Sequence, residues 1–199
     1  SGVDLTQFKR WYEQAGTPVL DVGANYDASA KRYTLTVTQS CAPTPGQETK
    51  LPLHIPFAVG LVAPDGSDVP LQLAGEPKAN GSTRVLSLTR PAEKFEFVNV
   101  SDRPVPSLLR GFSAPVNLRF DFTDAELTHL MACDADPFNR WEAGQRLALN
   151  LLLRAIREFR AQRAPEFPDA FVSAFARVLA DAPTDAAFAT EALGLPSEG

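Results

Sequence analysis

The strongest constraint on this chain lies in residues 95–122, FEFVNVSDRPVPSLLRGFSAPVNLRFDF. The stretch closes with Val116, Leu118, Phe120 and Phe122 alternating against Asn117, Arg119 and Asp121. That period of two is the mark of a strand with one apolar face. Just upstream, Pro104 and Pro106 remove ladder donors, and Gly111 and Pro115 allow a change of direction. Sequence before this stretch carries strand and turn signals; sequence after it carries helical ones. The reading is one buried strand that closes a β-domain and delivers the chain into a helical region.

Further strand signals recur at short intervals. They fall at 19–22, at 33–38 with Tyr33, Leu35 and Val37 against threonines, and at 53–61 with Leu53, Ile55, Phe57, Val59 and Leu61. Pro56 inside that row cannot donate, which predicts an edge strand or a bulge. Pro64, Asp65 and Gly66 form a turn, and Val69, Leu71 and Leu73 read as the returning hairpin partner. Segments 85–88, 95–100 and 116–122 complete about seven strands, the count of a sandwich with two facing sheets.

The helical signals are just as local. Residues 4–15 have an amphipathic period, with Asp4 placed to cap and Gly16 to stop. Thr123 and Glu126 spell a capping box. Asp136 followed by Pro137 spells a second start, for a long helix to about residue 162. Its expected apolar face is Phe138, Trp141, Gln145, Ala148, Leu149, Leu152, Ile156 and Phe159, widened by Leu147, Leu151 and Leu153. A third helix is predicted from Pro168, and a fourth capped by Thr184 and ended by Gly194. Antiparallel helices in succession suggest a solenoid or bundle. Apolar Phe188, Leu193 and Leu195 predict further chain packed beyond them. The expected fold is an immunoglobulin-like antiparallel β-sandwich over 17–122, preceded by a short helix at 1–16 and followed by helices over 123–199.

Charge separates the two regions. Residues 1–122 balance 12 basic against 12 acidic side chains, whereas 123–199 set 7 arginines against 12 acids and so hold the whole net charge of −5. No basic stripe interleaved with aromatics exists, which argues against a nucleic-acid partner. No apolar run is long enough for a membrane span. Cys41 and Cys133 lack metal-ligand spacing and fall in unlike segments. Free thiols in a reducing, cytoplasmic compartment are expected.

Candidate chemistry is sparse. His54 and His129 are the only histidines, and no His-Glu-x-x-His occurs. Asp134 and Asp136 could form a carboxylate pair, but their place before Pro137 reads better as capping. The arginines at 154, 157, 160 and 163 could meet an acidic partner, or be a solvated helix end favoured by the dipole. Serines form no Gly-x-Ser-x-Gly elbow, and Gly23, Gly60, Gly66 and Gly81 form no phosphate cradle. Catalytic, cofactor-binding and metal-binding residues are therefore expected to number none.

Several longer words carry a resemblance. They are TQFKRWYEQAGTPVL (6–20), LHIPFAVGL (53–61), FVNV (97–100), VPSLLRGFSAPVNL (105–118) and LTHLMACDADPFNRWEAGQ (127–145). In these the chain resembles the bacterial aminopeptidase N family of zinc metallo-aminopeptidases, over essentially its full length. The resemblance implies a multidomain enzyme in which this stretch is the end of the catalytic domain, a small β-sandwich and the first helices of a C-terminal helical domain. Zinc and peptide substrate would belong to that longer enzyme, and the other domains of the enzyme would be the partners. No family catalytic residue has a counterpart here, so this chain alone is expected to be inactive. The competing reading is a free-standing immunoglobulin-like module that binds protein or peptide.

Overall fold

The computed structural model describes Gly2 and residues 4–195. The chain divides into two compact units. One comprises residues 1–61 and 69–121; the other comprises 62–68 and 122–199.

The first unit opens with helix α1 (Thr6–Glu13). Asp4 Oδ1 accepts from Thr6 N at 2.9 Å. Seven strands follow in two sheets: β1 (Val19–Asp27), β2 (Arg32–Ser40), β3 (Ile55–Val62), β4 (Thr83–Leu88), β5 (Ala92–Phe97), β6 (Val105–Leu108) and β7 (Asn117–Arg119). One sheet has the order β5-β2-β1-β7 and the other β4-β3-β6. β1 and β2 pair antiparallel in unbroken register from Val19↔Ser40 to Asp27↔Arg32. Asp27 Oδ1 ties their turn by accepting from Ser29 N and Ala30 N. β7 runs parallel to β1, from Val19↔Asn117 to Asp21↔Arg119.

The two sheets supply one core. Leu20, Leu35 and Val37 come from the first, and Ile55, Phe57, Val59, Leu61, Leu86 and Leu88 from the second; all are buried. Each such aliphatic or aromatic side chain contributes about 1.5–3 kcal/mol on leaving water.

Four sequence expectations change here. The closing strand is three residues long and not buried, with Asn117 and Arg119 exposed and Leu118 partly covered, since it is an edge strand and not a central one. β3 is the central strand of its sheet in regular register with β4, so Pro56 marks neither an edge nor a bulge. As its second residue, Pro56 sits near the strand start, where proline is best tolerated. Val69, Leu71 and Leu73 form no strand, because Pro70 interrupts the donors; the segment only touches the ladders, through Val69 N to Leu61 O and the bridge Leu73↔Phe97. In its place the proline-flanked 105–108 segment is β6, where Pro106 is allowed because β6 lies at a sheet edge.

The second unit holds α2 (Asp124–Cys133), α3 (Pro137–Arg160), α4 (Asp169–Asp181) and α5 (Ala186–Ala192). The α2 capping box forms: Thr123 Oγ1 accepts from Glu126 N at 3.2 Å and Glu126 Oε2 accepts from Thr123 N at 2.9 Å. Asp136 caps α3 with Pro137 at its first turn. α5 is capped by Asp185, which accepts from Phe188 N at 2.9 Å, and not by Thr184. Asp185 stands one residue nearer the helix, at the Ncap position itself.

α3 buries Asn139, Ala143, Gly144, Leu147, Ala148 and Leu151; Leu147, Ala148 and Leu151 belong to the expected face, but none of its aromatic residues is buried. Small residues let α2 come close; a Cβ on Gly144 would lie 3.5 Å from Met131 Sδ. Leu149, Leu153, Ile156 and Phe159 stand exposed. Among the described residues no helix is long and apolar enough to cross a membrane.

Candidate functional site

The histidines carry structural contacts. His54 is half-buried; its Nε2 lies 3.3 Å from Ser87 Oγ, and its carbonyl accepts from Trp11 Nε1 at 2.9 Å. His129 is half-buried too, with Nε2 2.8 Å from Ala63 O.

Asp134 and Asp136 cap chain ends. Asp134 Oδ1 accepts from Asp136 N and Asp136 Oδ1 from Asn139 N, each at 2.9 Å. Cys41 and Cys133 are half-buried free thiols, and a Cβ at Gly66 would sit 2.9 Å from Cys133 Sγ. Three members of the arginine row are engaged: Arg154 pairs with Asp124, Arg163 pairs with Glu158, and Arg157 Nε donates to Leu153 O at 3.2 Å. The Arg163 contact holds the Glu158 carboxyl below its ordinary range. An open cleft of about 630 Å3 lies beside them, with Arg154, Glu158, Arg163, Glu166 and Phe167 on its walls. Both signs of charge line it, which does not select an anionic ligand.

The sequence reading missed two polar centres. In the sandwich unit Arg110 is buried, with Nε donating to Ser107 Oγ at 2.8 Å and Nη1 to Thr83 Oγ1 at 2.9 Å. The guanidinium lies flat on β3 at Gly60, where a Cβ would be only 2.1 Å from Arg110 Cζ. A glycine inside an apolar strand row was the available signal, since such a residue marks close approach. In the helical unit Arg140 joins three helices. Its Nε donates to Met131 O at 3.2 Å, its Nη2 to Asp181 Oδ2 at 3.1 Å, and its guanidinium lies 5.0 Å over the Phe188 ring. No local pattern marks it, because its partners are remote in sequence.

A third polar group clamps the 74–82 loop. Arg84 holds Glu76 by two bonds, at 2.8 and 2.6 Å, and Leu73 N donates to the same carboxylate at 3.0 Å. The Arg84 hydrogen bond is the main reason the Glu76 carboxyl sits below its ordinary value. All three centres are engaged by protein groups and hold architecture. Among the described residues no three His, Cys, Asp or Glu side chains converge as metal ligands.

Residues 16–121 match a family model described as a domain of unknown function, DUF3458, with an Ig-like fold. The chain belongs to that family. Residues 124–199 match its companion model, described as ARM repeats. The two matches meet where the Ig-like sandwich gives way to the helices. The chain is also similar to curated aminopeptidases N. It is 41% identical to that of Escherichia coli over 99% of this chain, 38% to that of Haemophilus influenzae over 100%, and 42% to that of Caulobacter vibrioides over 100%. It spans only 21–22% of the length of these relatives. Among solved structures, Legionella pneumophila aminopeptidase A, crystallised with aspartic acid, superposes with a TM-score of 0.78 at 28% identity, covering 99% of this chain and 20% of that one. The chain therefore matches one region of these peptidases, an Ig-like domain followed by helical repeats.

Proposed function

We propose that this chain is the non-catalytic connecting region of a zinc-dependent aminopeptidase that releases N-terminal amino acids from peptides. The similarity to aminopeptidase N along the whole chain carries this reading. α1 would be the last helix of the catalytic domain, the Ig-like sandwich the spacer, and the ARM repeats the start of the helical domain. The partners would be the other domains of the same enzyme. The two free thiols fit a reducing compartment, and we place the enzyme in the cytoplasm.

Zinc would be held elsewhere in that enzyme. The donor set here does not fit it: each histidine ring is engaged with a protein oxygen, and no third donor converges among the described residues. What these residues contribute is rigidity. Gln7, Arg10 and Trp11 of α1 donate to the carbonyls of Thr89, Pro52 and His54, at 2.6, 2.6 and 2.9 Å. Lys50 Nζ bonds Ala15 O, Thr44 Oγ1 and Gln47 Oε1 within 2.8 Å. A helix fastened this way moves with the sandwich.

The test is a chimera. Replacing the matching fifth of Escherichia coli aminopeptidase N with this chain should retain hydrolysis of an alanyl reporter. Deleting that fifth should abolish it. A well-folded chimera without activity, or a deletion that stays active, overturns the proposal.

A further inference from the structure

We propose that the outer face of the β4-β3-β6 sheet is the surface on which the catalytic domain of the parent peptidase packs, with Phe112 as its anchor. The inference rests on the proposed function and names the place of contact. The two outer faces of the sandwich differ. On the β5-β2-β1-β7 sheet the exposed outward side chains of β1 and β2 are polar or small: Asp21, Gly23, Asn25, Thr36 and Thr38. On the other sheet the register sets Val85 across from Ala58 and Ser87 across from Pro56, and Val85 is 64% exposed. The 107–114 segment covers part of that face. Arg110, held by Ser107 Oγ and Thr83 Oγ1, lies on Gly60, and Ser113 Oγ accepts from Ala58 N at 3.0 Å. The tip of this segment is strained: Leu109, Gly111 and Phe112 have φ of 57°, 63° and 50°. Glycine takes that region readily, but a bulky side chain does so at a cost, and only where its surroundings enforce it. Leu109 is buried, which offsets its cost within the unit, whereas Phe112 is 56% exposed. A ring held out on a strained turn has the form of an aromatic interface anchor.

The chain indicates the occupant. Helix α1 is fastened beside this face: Trp11 Nε1 donates to His54 O, and His54 Nε2 lies 3.3 Å from Ser87 Oγ, next but one to Val85 along β4. The free side of α1 continues the apolar surface with Leu5, Phe8 and Tyr12, all exposed, the last two with ring centroids 6.0 Å apart. With α1 as the last helix of the catalytic domain, that domain meets the sandwich beside Val85 and Phe112, and away from the threonine face. A contact of exposed apolar residues on one sheet, with the opposite sheet left polar, is what one-sided packing against a neighbouring domain requires.

The test uses the active chimera with Escherichia coli aminopeptidase N, carrying the photo-cross-linking residue p-benzoylphenylalanine at position 112 or, on the opposite face, at position 36. Cross-linked peptides are mapped by mass spectrometry. Position 112 should cross-link to the catalytic domain with a yield about tenfold above position 36. Phe112→Asn should lower the urea concentration at which the chimera loses activity. In the 199-residue protein the same change should leave the urea midpoint unchanged or raise it, because asparagine takes a positive φ more readily than phenylalanine. Thr36→Asn should move neither. In an active chimera, absence of the cross-link from position 112, or an equal yield from position 36, overturns this inference and leaves the proposed function standing. So does a lowered urea midpoint for Phe112→Asn in the 199-residue protein, which would make the ring part of the sandwich's own packing. A folded but inactive chimera overturns the proposed function, and this inference with it.

Discussion

In the sandwich unit the largest apolar side chains, Phe57 and Phe97, are wholly buried; in the helical unit Phe159 and Phe167 stand 76% and 51% exposed. Both regions are rich in apolar residues, yet they use them differently. Two sheets facing each other bury both inner faces, and β3 is buried on both of its own. A helix has a full circumference, and α3 buries one stripe, Ala143, Gly144, Leu147, Ala148 and Leu151, against its described neighbours. A sandwich finishes its core within one unit, whereas stacked helices leave a face for the next layer, as expected of repeats.

Substitutions in the two units should differ in cost. Phe57→Ala should have the largest effect, lowering stability by about 3–5 kcal/mol in urea unfolding. A loss under about 1 kcal/mol would show that the sandwich core is not closed. Next, Leu147→Ala should cost about 2–5 kcal/mol, while Leu153→Ala, on the exposed side of the same helix, should stay within about 0.5 kcal/mol. Equal effects would erase the distinction between the two faces of α3. Gly60→Ala should cost about 1–3 kcal/mol, because the new methyl group must displace the Arg110 guanidinium. Asp185→Ala should lower the melting stability by about 1 kcal/mol and Thr184→Ala by much less, since only Asp185 caps α5.

The smallest effect is a pH dependence. The Arg84 bond depresses the Glu76 carboxyl, so its stabilisation is complete above the ordinary glutamate pKa of 4.5. It fades as pH falls below that, through the depressed value. The gap in urea midpoint between the protein and Glu76→Gln should therefore close on acidification from about pH 6 to about pH 3. A gap that widens would place the shift in the opposite direction.

What the sequence made legible was local. The capping box at Thr123 and Glu126 needs only four consecutive residues, and it forms as read. The alternation of Tyr33, Leu35 and Val37 produced β2 because one sheet face is buried. The losses came where a partner decides. Pro106 blocks a central strand but not an edge, and no sequence window tells which sheet position 105–108 will take. The α3 face was read in part: Leu147, Ala148 and Leu151 are buried as expected, but the bulky aromatics are not, because close helix packing favours the small Ala143 and Gly144 beside them. Arg110 was passed over, since its acceptor Thr83 lies 27 residues away. The family words carried the functional reading, and no residue pattern within the chain could have replaced them.

Under the proposed function, the catalytic residues of the parent peptidase lie outside these 199 residues. The direct measurement is hydrolysis of an alanyl reporter by the purified chain supplemented with zinc. The account predicts a rate equal to buffer. Zinc-dependent turnover that a chelator abolishes would contradict it.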